Sequence, residues 1–487
     1  VLQNTGAASR SDRAFLGHPR GLAYLAATEG WITFSYYGMQ SLLILYMTGQ
    51  LLKPAHIGHV WGFGPFRTLI GALYGATGGQ PLAAGIMGLY SALIYATPIL
   101  GGLVADRLLG RTRTIVLGCV LMTLGHFLMA FDATFLIALA CLIAGTGCAG
   151  ALKAQVGGLY DVGDMRRSDA FQIYTLAVQL SVIVAPLVCG TLGEKIAWHW
   201  GFGAAGIGMA VGLLVYGSGR RWLPADPGAA SAAAGAHRPR MSARDWRTVG
   251  VLALLAPVLA VTAVGNMEIF NGYLVWGKAN YQLSFFGQTI PVSWLLSLDA
   301  LVSTVTLLAT VAFWRWWAAR AREPDEIVKM AIGAAISALA PLILAAASLQ
   351  AAGGHKVGLP WGVAFHVVND LGFANLYGIG LALYSRAAPP AAGATVVNAY
   401  MLNLFLSNLL VGWLAGLLSK MSAVNFWLMH AGLVAAGAVA LFIFARVFRR
   451  TLAPTAAAPP GADPLEAGPA PWSAEQAAAE EIAEQAR

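Results

Sequence analysis

The sequence predicts an all-α membrane protein of twelve transmembrane helices, arranged as two six-helix bundles around a central cavity. Three observations carry that expectation. The 487 residues are 58% hydrophobic and only 11% charged, whereas an ordinary soluble domain is roughly 25% charged. Apolar runs of about 20 residues, the length that crosses a bilayer as a helix, recur along most of the chain. A stretch rich in Gly, Ala, Pro and Arg at 218–247 divides those runs into two equal sets.

Taken in order, residues 1–23 form a charged N-terminus (Arg10, Asp12, Arg13, Arg20) unlike a cleaved signal peptide. The N-terminal bundle, 24–217, has expected spans at 24–48, 82–104, 113–131, 134–156, 169–192 and 201–217. The linker 218–247 follows. The C-terminal bundle, 248–447, has expected spans at 248–276, 290–314, 328–349, 361–385, 392–418 and 424–446. A tail at 448–487 is Pro- and Ala-rich, then acidic from Ser473, which suits either a short helix capped by Ser473 and Gln476 or a solvated tail. The 49–81 connection is long for a loop; it caps one mouth of the cavity or is simply irregular. Its His56 and His59 are a weak metal signal without further ligands nearby.

The net charge of +8 is topological. Most lysines and arginines fall on the side of the two termini, while the opposite loops hold Lys53, Arg67, Lys195, Lys356 and Lys420. By the positive-inside rule both termini are expected in the cytoplasm, with the chain in a bacterial inner (plasma) membrane, probing no nucleic acid. The four cysteines lie inside apolar runs and offer neither a disulfide framework nor zinc spacing. No nucleotide-binding loop, catalytic triad or metal cluster is visible, so an enzyme or an ATP-driven pump is disfavoured. No cofactor is expected beyond a proton gradient. The expected partners are the lipid bilayer and a small-molecule substrate, and the expected state is a monomer.

Six segments carry a family resemblance in consistent order. TEGWITFSYYGMQ, 28–40, resembles the motif E-x-x-E-R-F-x-Y-Y-G, with Ile32 and Thr33 in place of the second acid and the arginine. IYATPILGGLVADRLLGRTRTI, 94–115, contains G-x-x-A-D-x-x-G-R, and GTGCAGALKAQ, 145–155, resembles G-T-G-x-x-K-P-N with Lys153 retained. DAFQIYTLAVQLSVIVAPLVCG (169–190), WHWGFGAAGIGM (198–209) and IPVSWLLSLDAL (290–301) continue the series. In the last, Asp299 stands where Asn is common. The chain thus resembles the proton-dependent oligopeptide transporter (POT) family of the major facilitator superfamily, as a divergent member with a reduced first-helix motif. The linker is too short and polar for the two additional helices that bacterial members commonly carry.

A charge at the bilayer centre costs on the order of 2.5–3.5 kcal/mol, so Glu29, Lys153, Glu268, Asp299 and Asp370 are expected to face a partner or a wet cavity. Glu29, Thr33 and Tyr36 or Tyr37 share one helical face, and Lys153 is the natural counter-ion of Glu29. Glu268 is a candidate protonatable acid, or else a partner of Lys278. His366 and Asp370, four residues apart, can meet as a proton relay. Glu29, Lys153, Glu268, Asp370 and His366 are therefore the proton-coupling candidates.

The resemblance implies that Tyr36, Tyr37 and Tyr95 look onto a peptide, with Lys153 and Asp370 at its charged ends. Gln179, Asn271 and Asn375 complete the candidate substrate lining. It further implies gating by Asp106, Arg107 and Arg111 at helix ends. Trp294 and Asn408 are weaker candidates, while His126 and His430 suit the core or the lipid boundary. The function these implications describe is proton-coupled, alternating-access transport of small peptides, or of peptide-like or amino-acid-derived compounds. Neutral Thr33 and Gln40 remove bidentate carboxylate recognition. That leaves open a modified, carboxylate-blocked or non-peptide substrate with altered coupling, or a transporter-like receptor.

Overall fold

The computed structural model describes residues 12–161, 164–224, 226, 241–389 and 392–452. The first half contains α1 (Arg20–Tyr46), α2 (Gly79–Val104), α3 (Arg111–Leu128), α4 (Phe135–Ala149), α5 (Arg166–Ala185) and α6 (Trp198–Gly219). The second contains α7 (Ala243–Thr262), α8 (Trp294–Ala318), α9 (Glu326–Ser337), α10 (Pro360–Ala387), α11 (Leu402–Ala415) and α12 (Ala423–Leu452). Among the described residues, nine helices are long and apolar enough to cross a membrane by length and composition. Helices α1, α3 and α10 are not among them; they carry, respectively, Glu29 and Gln40, Arg111 and Arg113, and Asn369 and Asp370.

Local chemistry sets several helix ends. Ser242 and Asp245 form a reciprocal capping box that starts α7, satisfying backbone N–H groups that a first turn leaves unpaired. Asp325 accepts the Val328 N–H at 3.0 Å and starts α9. Across the linker, Asp226 accepts from the Thr112 backbone and hydroxyl, fastening the chain to the start of α3.

Several helices are broken rather than continuous. Beyond Thr262, α7 continues as Val264–Met267, a 3-10 turn Glu268–Phe270 and Gly272–Asn280. Asn271 sits at the break with φ −125° and ψ −102°. The freed Gly272 N–H donates to Glu268 Oε1 at 3.0 Å. Irregular backbone at membrane depth survives only when its polar groups are satisfied inside the protein. The α4 and α11 rods also break, at Gly150–Ala151 and Tyr400–Met401.

In the first half α1 packs on α5 and α6, and α4 on α2 and α3; in the second, α10 and α12 pack on α9, with α8 on α10. The halves meet along α2–α11 and α5–α8. Where α2 crosses α11, a Cβ on Gly88 would collide with the Gly412 backbone, so only glycine permits this approach. Polar ties join the halves on the face opposite Arg20 and Leu452. Gln80 Nε2 donates to Ala415 O, Asn271 Nδ2 to Ala84 O and Trp294 Nε1 to Thr191 Oγ1. Glu194 accepts the Val292 and Ser293 N–H groups at 3.1 and 2.9 Å. Deeper in, Ser297 donates to Ile183 O and Gln179 to Thr304. The halves are therefore closed on that face.

The 49–81 connection folds into two helices, Pro54–Ile57 and Phe63–Tyr74. His56 Nδ1 meets Asp132 Oδ2 at 2.6 Å, and the Tyr46 hydroxyl donates to Asp132 Oδ1 at 2.5 Å. This loop is fastened by a carboxylate from the α3–α4 connection. The tail from Ser473 lies outside the described residues.

Candidate functional site

A cavity of about 240 Å³ lies between α2, the α4 break and the start of α11, on the Arg20/Leu452 side. Tyr95, Arg111, Gly150, Asn398 and Met401 line it. Pro98 sits inside α2 and also lines it. This cavity and the polar ties described above thus lie toward opposite faces of the protein.

From the first half, Tyr36 and Tyr37 pack edge to face with ring centroids 5.0 Å apart, and Tyr37 reaches Phe270 at 6.0 Å. Tyr36 interacts electrostatically with Tyr95, and Tyr37 with Tyr377 and Asp299 of the second half. These three tyrosines thus line the space between the halves. Glu29, about two turns before Tyr36 and Tyr37 on α1, feels the Lys153 charge and faces Tyr174. Yet the buried Tyr174 hydroxyl closes no hydrogen bond. Nor is Glu29–Lys153 among the described ion pairs, and Lys153 is exposed. The expected counter-ion relation is one of proximity without contact.

Glu268 is fully buried, and its partner is His430 of α12, with Oε2 and Nε2 3.3 Å apart. The alternative partner Lys278 lies instead over the Trp198 ring, and His430, expected in the core or at the lipid boundary, is fully buried. The tautomer follows from the neighbours. His430 Nδ1 lies 2.8 Å from the Phe426 carbonyl oxygen, which only accepts, so Nδ1 carries hydrogen. The Oε2–Nε2 contact then requires one proton between the two groups, resident on either.

A second cluster joins α8 to α10. His366 Nδ1 lies 2.9 Å from Asp299 Oδ1, and Nε2 lies 3.0 Å from the Tyr273 hydroxyl. The expected His366–Asp370 pairing is therefore replaced: the imidazole reaches across to α8. Asp370 Oδ1 accepts from Asn369 Nδ2 at 3.2 Å. One donor atom each of Asp299, His366 and Asp370 nevertheless lie within 4.8 Å of one another, a grouping that could hold a metal ion. The sequence did not reveal this cluster because its members are spread from 299 to 370 on two helices.

The expected substrate amides are tied up in this state. Gln179 donates to Thr304 between the halves, and Asn271 donates to Ala84. Asn375 accepts from Trp314 Nε1 at 2.6 Å and donates to Leu371 O. Of the gating candidates, Arg107 is exposed and Arg111 borders the cavity. The side chain of Asp106 lies outside the described residues. Trp294 and Asn408 are engaged with Thr191 and with Met267 and Leu404.

Residues 112–237 match the model of the POT family. The chain is 28% identical over 475 residues to the uncharacterized transporter YclF of Bacillus subtilis, covering 85% of this chain and 91% of that protein. It is 28% identical to the peptide transporter YePEPT of Yersinia enterocolitica, covering 83% and 89%. A di-/tripeptide transporter of Lactococcus lactis is 38% identical over 216 residues, covering 44% of this chain and 40% of that one. Among solved structures, a peptide transporter POT in complex with sulfate superposes with a TM-score of 0.78 at 25% identity, covering 93% and 99%. A mutant peptide transporter POT bound to alafosfalin gives 0.77 at 26%, with the same coverage. The architecture is accordingly that of a major facilitator transporter, with two helical bundles about a central cavity.

Proposed function

We propose that this chain, similar to POT-family peptide transporters over most of its length, is a proton-coupled secondary transporter of small peptides or peptide-like compounds. One observation supports this reading above the others. The buried Glu268, which shares one proton with His430, and the partly buried Asp299, which meets His366, sit in the half whose Asp299 interacts with Tyr37 of the other. Alternating access requires a path between the halves, and an intramembrane acid whose occupancy changes with the state supplies the coupling.

The two halves, 24–217 and 248–447, would rock about this path, joined by the 218–247 linker, with twelve spans in all. The Arg20/Leu452 face would be cytoplasmic in the plasma membrane, and the ties on the opposite face would then shut the outward side. In this reading Tyr36, Tyr37 and Tyr95 supply hydroxyls to the substrate, Lys153 attracts a carboxylate, and Glu268 and Asp370 handle the proton or an amino group. Arg107 and Arg111, with Asp106, would order the cytoplasmic gate. The driving force would be the proton gradient alone, acting on a monomer without enzymatic chemistry or a bound cofactor.

The buried neutral side chains Thr33 and Gln40 favour a second substrate class, peptides whose carboxylate is blocked or absent, because a buried guanidinium is missing there. Proteoliposomes with an imposed pH gradient test both readings. Radiolabelled dipeptides should accumulate against their gradient when the interior is alkaline; uptake indifferent to the pH gradient refutes the coupling. Stronger competition by amidated than by free dipeptides would select the second class, and saturable binding with no uptake would make the protein a receptor.

A further inference from the structure

We propose that Asp299 and Asp370 form a two-carboxylate unit that shares one proton, with His366 as its positioning residue. This rests on the proton-coupled reading and names the site that carries the coupled proton. The geometry begins with two helices: α8 presents Asp299, and α10 presents His366 and, one turn on, Asp370. Donor atoms of all three lie within 4.8 Å of one another. Asp370 is only 2% exposed, and its Oδ2 is buried without any hydrogen-bond partner.

An ionised carboxylate can only accept hydrogen bonds, so a buried oxygen with no donor is a costly place for negative charge. A second carboxylate nearby raises that cost, because two like charges oppose full ionisation of the pair. A proton on Asp370 converts the orphaned oxygen into a donor and leaves one charge for the unit, which Asp299 holds against His366 Nδ1 at 2.9 Å. Other groups facing the cluster do not supply that neutralisation. From the broken α7 come Tyr273, bonded to His366 Nε2, and Tyr281, 3.4 Å beyond it. Helix α1 contributes Tyr37, and α9 contributes Ser337, which donates to the Asn369 carbonyl. No lysine or arginine pairs with either carboxylate among the described residues.

The two carboxylates differ in access, which gives the unit a direction. The Asp299 side chain is 15% exposed and interacts with Tyr37 across the path, whereas Asp370 is shut away. Asp370 therefore stores the proton and Asp299 exchanges it with cavity water: once a side-chain rotation brings the two carboxyls into hydrogen-bond contact, the Asp370 O–H bond breaks as the Asp299 O–H bond forms, and water then takes the proton from Asp299. His366, held at both nitrogens, fixes the rotamer of Asp299. The first helix, which lacks the second acid of its family motif, need not carry this proton.

The test uses the full chain in two measurements. In proteoliposomes, Asp299→Asn and Asp370→Asn should each lower the ratio of gradient-driven uptake to exchange by about tenfold or more. His366→Gln should shift the pH profile of driven uptake rather than abolish it. If wild-type uptake is gradient-driven and both Asn variants keep the wild-type ratio, the unit is not the coupling site although the coupled reading stands. Infrared difference spectra on pH jump probe the shared proton even if wild-type uptake ignores the gradient. One protonated-carboxyl band should disappear in either Asn variant, and a band lost only in Glu268→Gln overturns the proposal. Monodisperse elution of each variant establishes that it is folded. Thermal stabilisation of the wild type by Zn²⁺ or Na⁺ at fixed pH, lost in both Asn variants, would make the cluster a cation site and also overturn it.

Discussion

Glu194 is the side chain whose removal should most directly reopen the closed face. It accepts the Val292 and Ser293 N–H groups at 3.1 and 2.9 Å, across the junction of the halves and at the start of α8. Both bonds break when this face opens, and water replaces them. The net difference is then about 1 kcal/mol per hydrogen bond, the favourable placement of a carboxylate at a helix N-terminus included. Glu194→Ala should therefore shift the balance toward opening by about 2 kcal/mol, roughly 30-fold. Glu194→Gln keeps an acceptor oxygen and should shift it by about half as much in free energy. The reporter is a cysteine introduced by Ser297→Cys, a buried position below Glu194, with the four native cysteines replaced by alanine. Membrane-impermeant maleimide added from that face should label it about 30-fold faster in the Glu194→Ala background. Equal rates in both backgrounds would refute the reasoning, since the two bonds would then not distinguish the states.

Two further outcomes follow from the same geometry. Removing only one partner of the buried Glu268–His430 pair leaves an uncompensated group, so His430→Leu should cost on the order of 3–5 kcal/mol. Glu268→Leu combined with it should recover a large part of that loss, and additive melting shifts would refute the pairing. Outside the membrane, Arg166 hydrogen-bonds Asp164 at 2.8 Å and holds its carboxyl below the usual range. A lowered folded-state value stabilises the protein above the ordinary carboxylate pKa and loses that contribution as pH falls through the folded one. Asp164→Asn should thus lower stability near neutrality by less than about 1 kcal/mol, given its exposure. In thermal melts from pH 7 down to strong acid the difference from wild type should vanish; a difference that grows in acid would contradict the sign.

The sequence by itself determined where the helices run and which of them carry charge, because length, hydropathy and helical spacing are local properties of the chain. Glu29, Glu268, Asp299 and Asp370 stand out for the same reason: each interrupts an apolar run. The break in α7 was partly legible too, since Asn266, Asn271 and Gly272 crowd around Glu268. Only the tertiary structure decided which charges meet. Glu268 and His430 are 162 residues apart, and Asp299 and His366 are 67 apart, so no periodicity could pair them. Their meeting depends on how helices cross, and those crossings are set by close approaches such as Gly88 on Gly412. His366 shows the consequence. Helical spacing allowed it to meet Asp370, four residues away on its own helix. In the fold an acceptor on α8 lies within reach of its ring, and the inter-helix hydrogen bond takes the place of the local one.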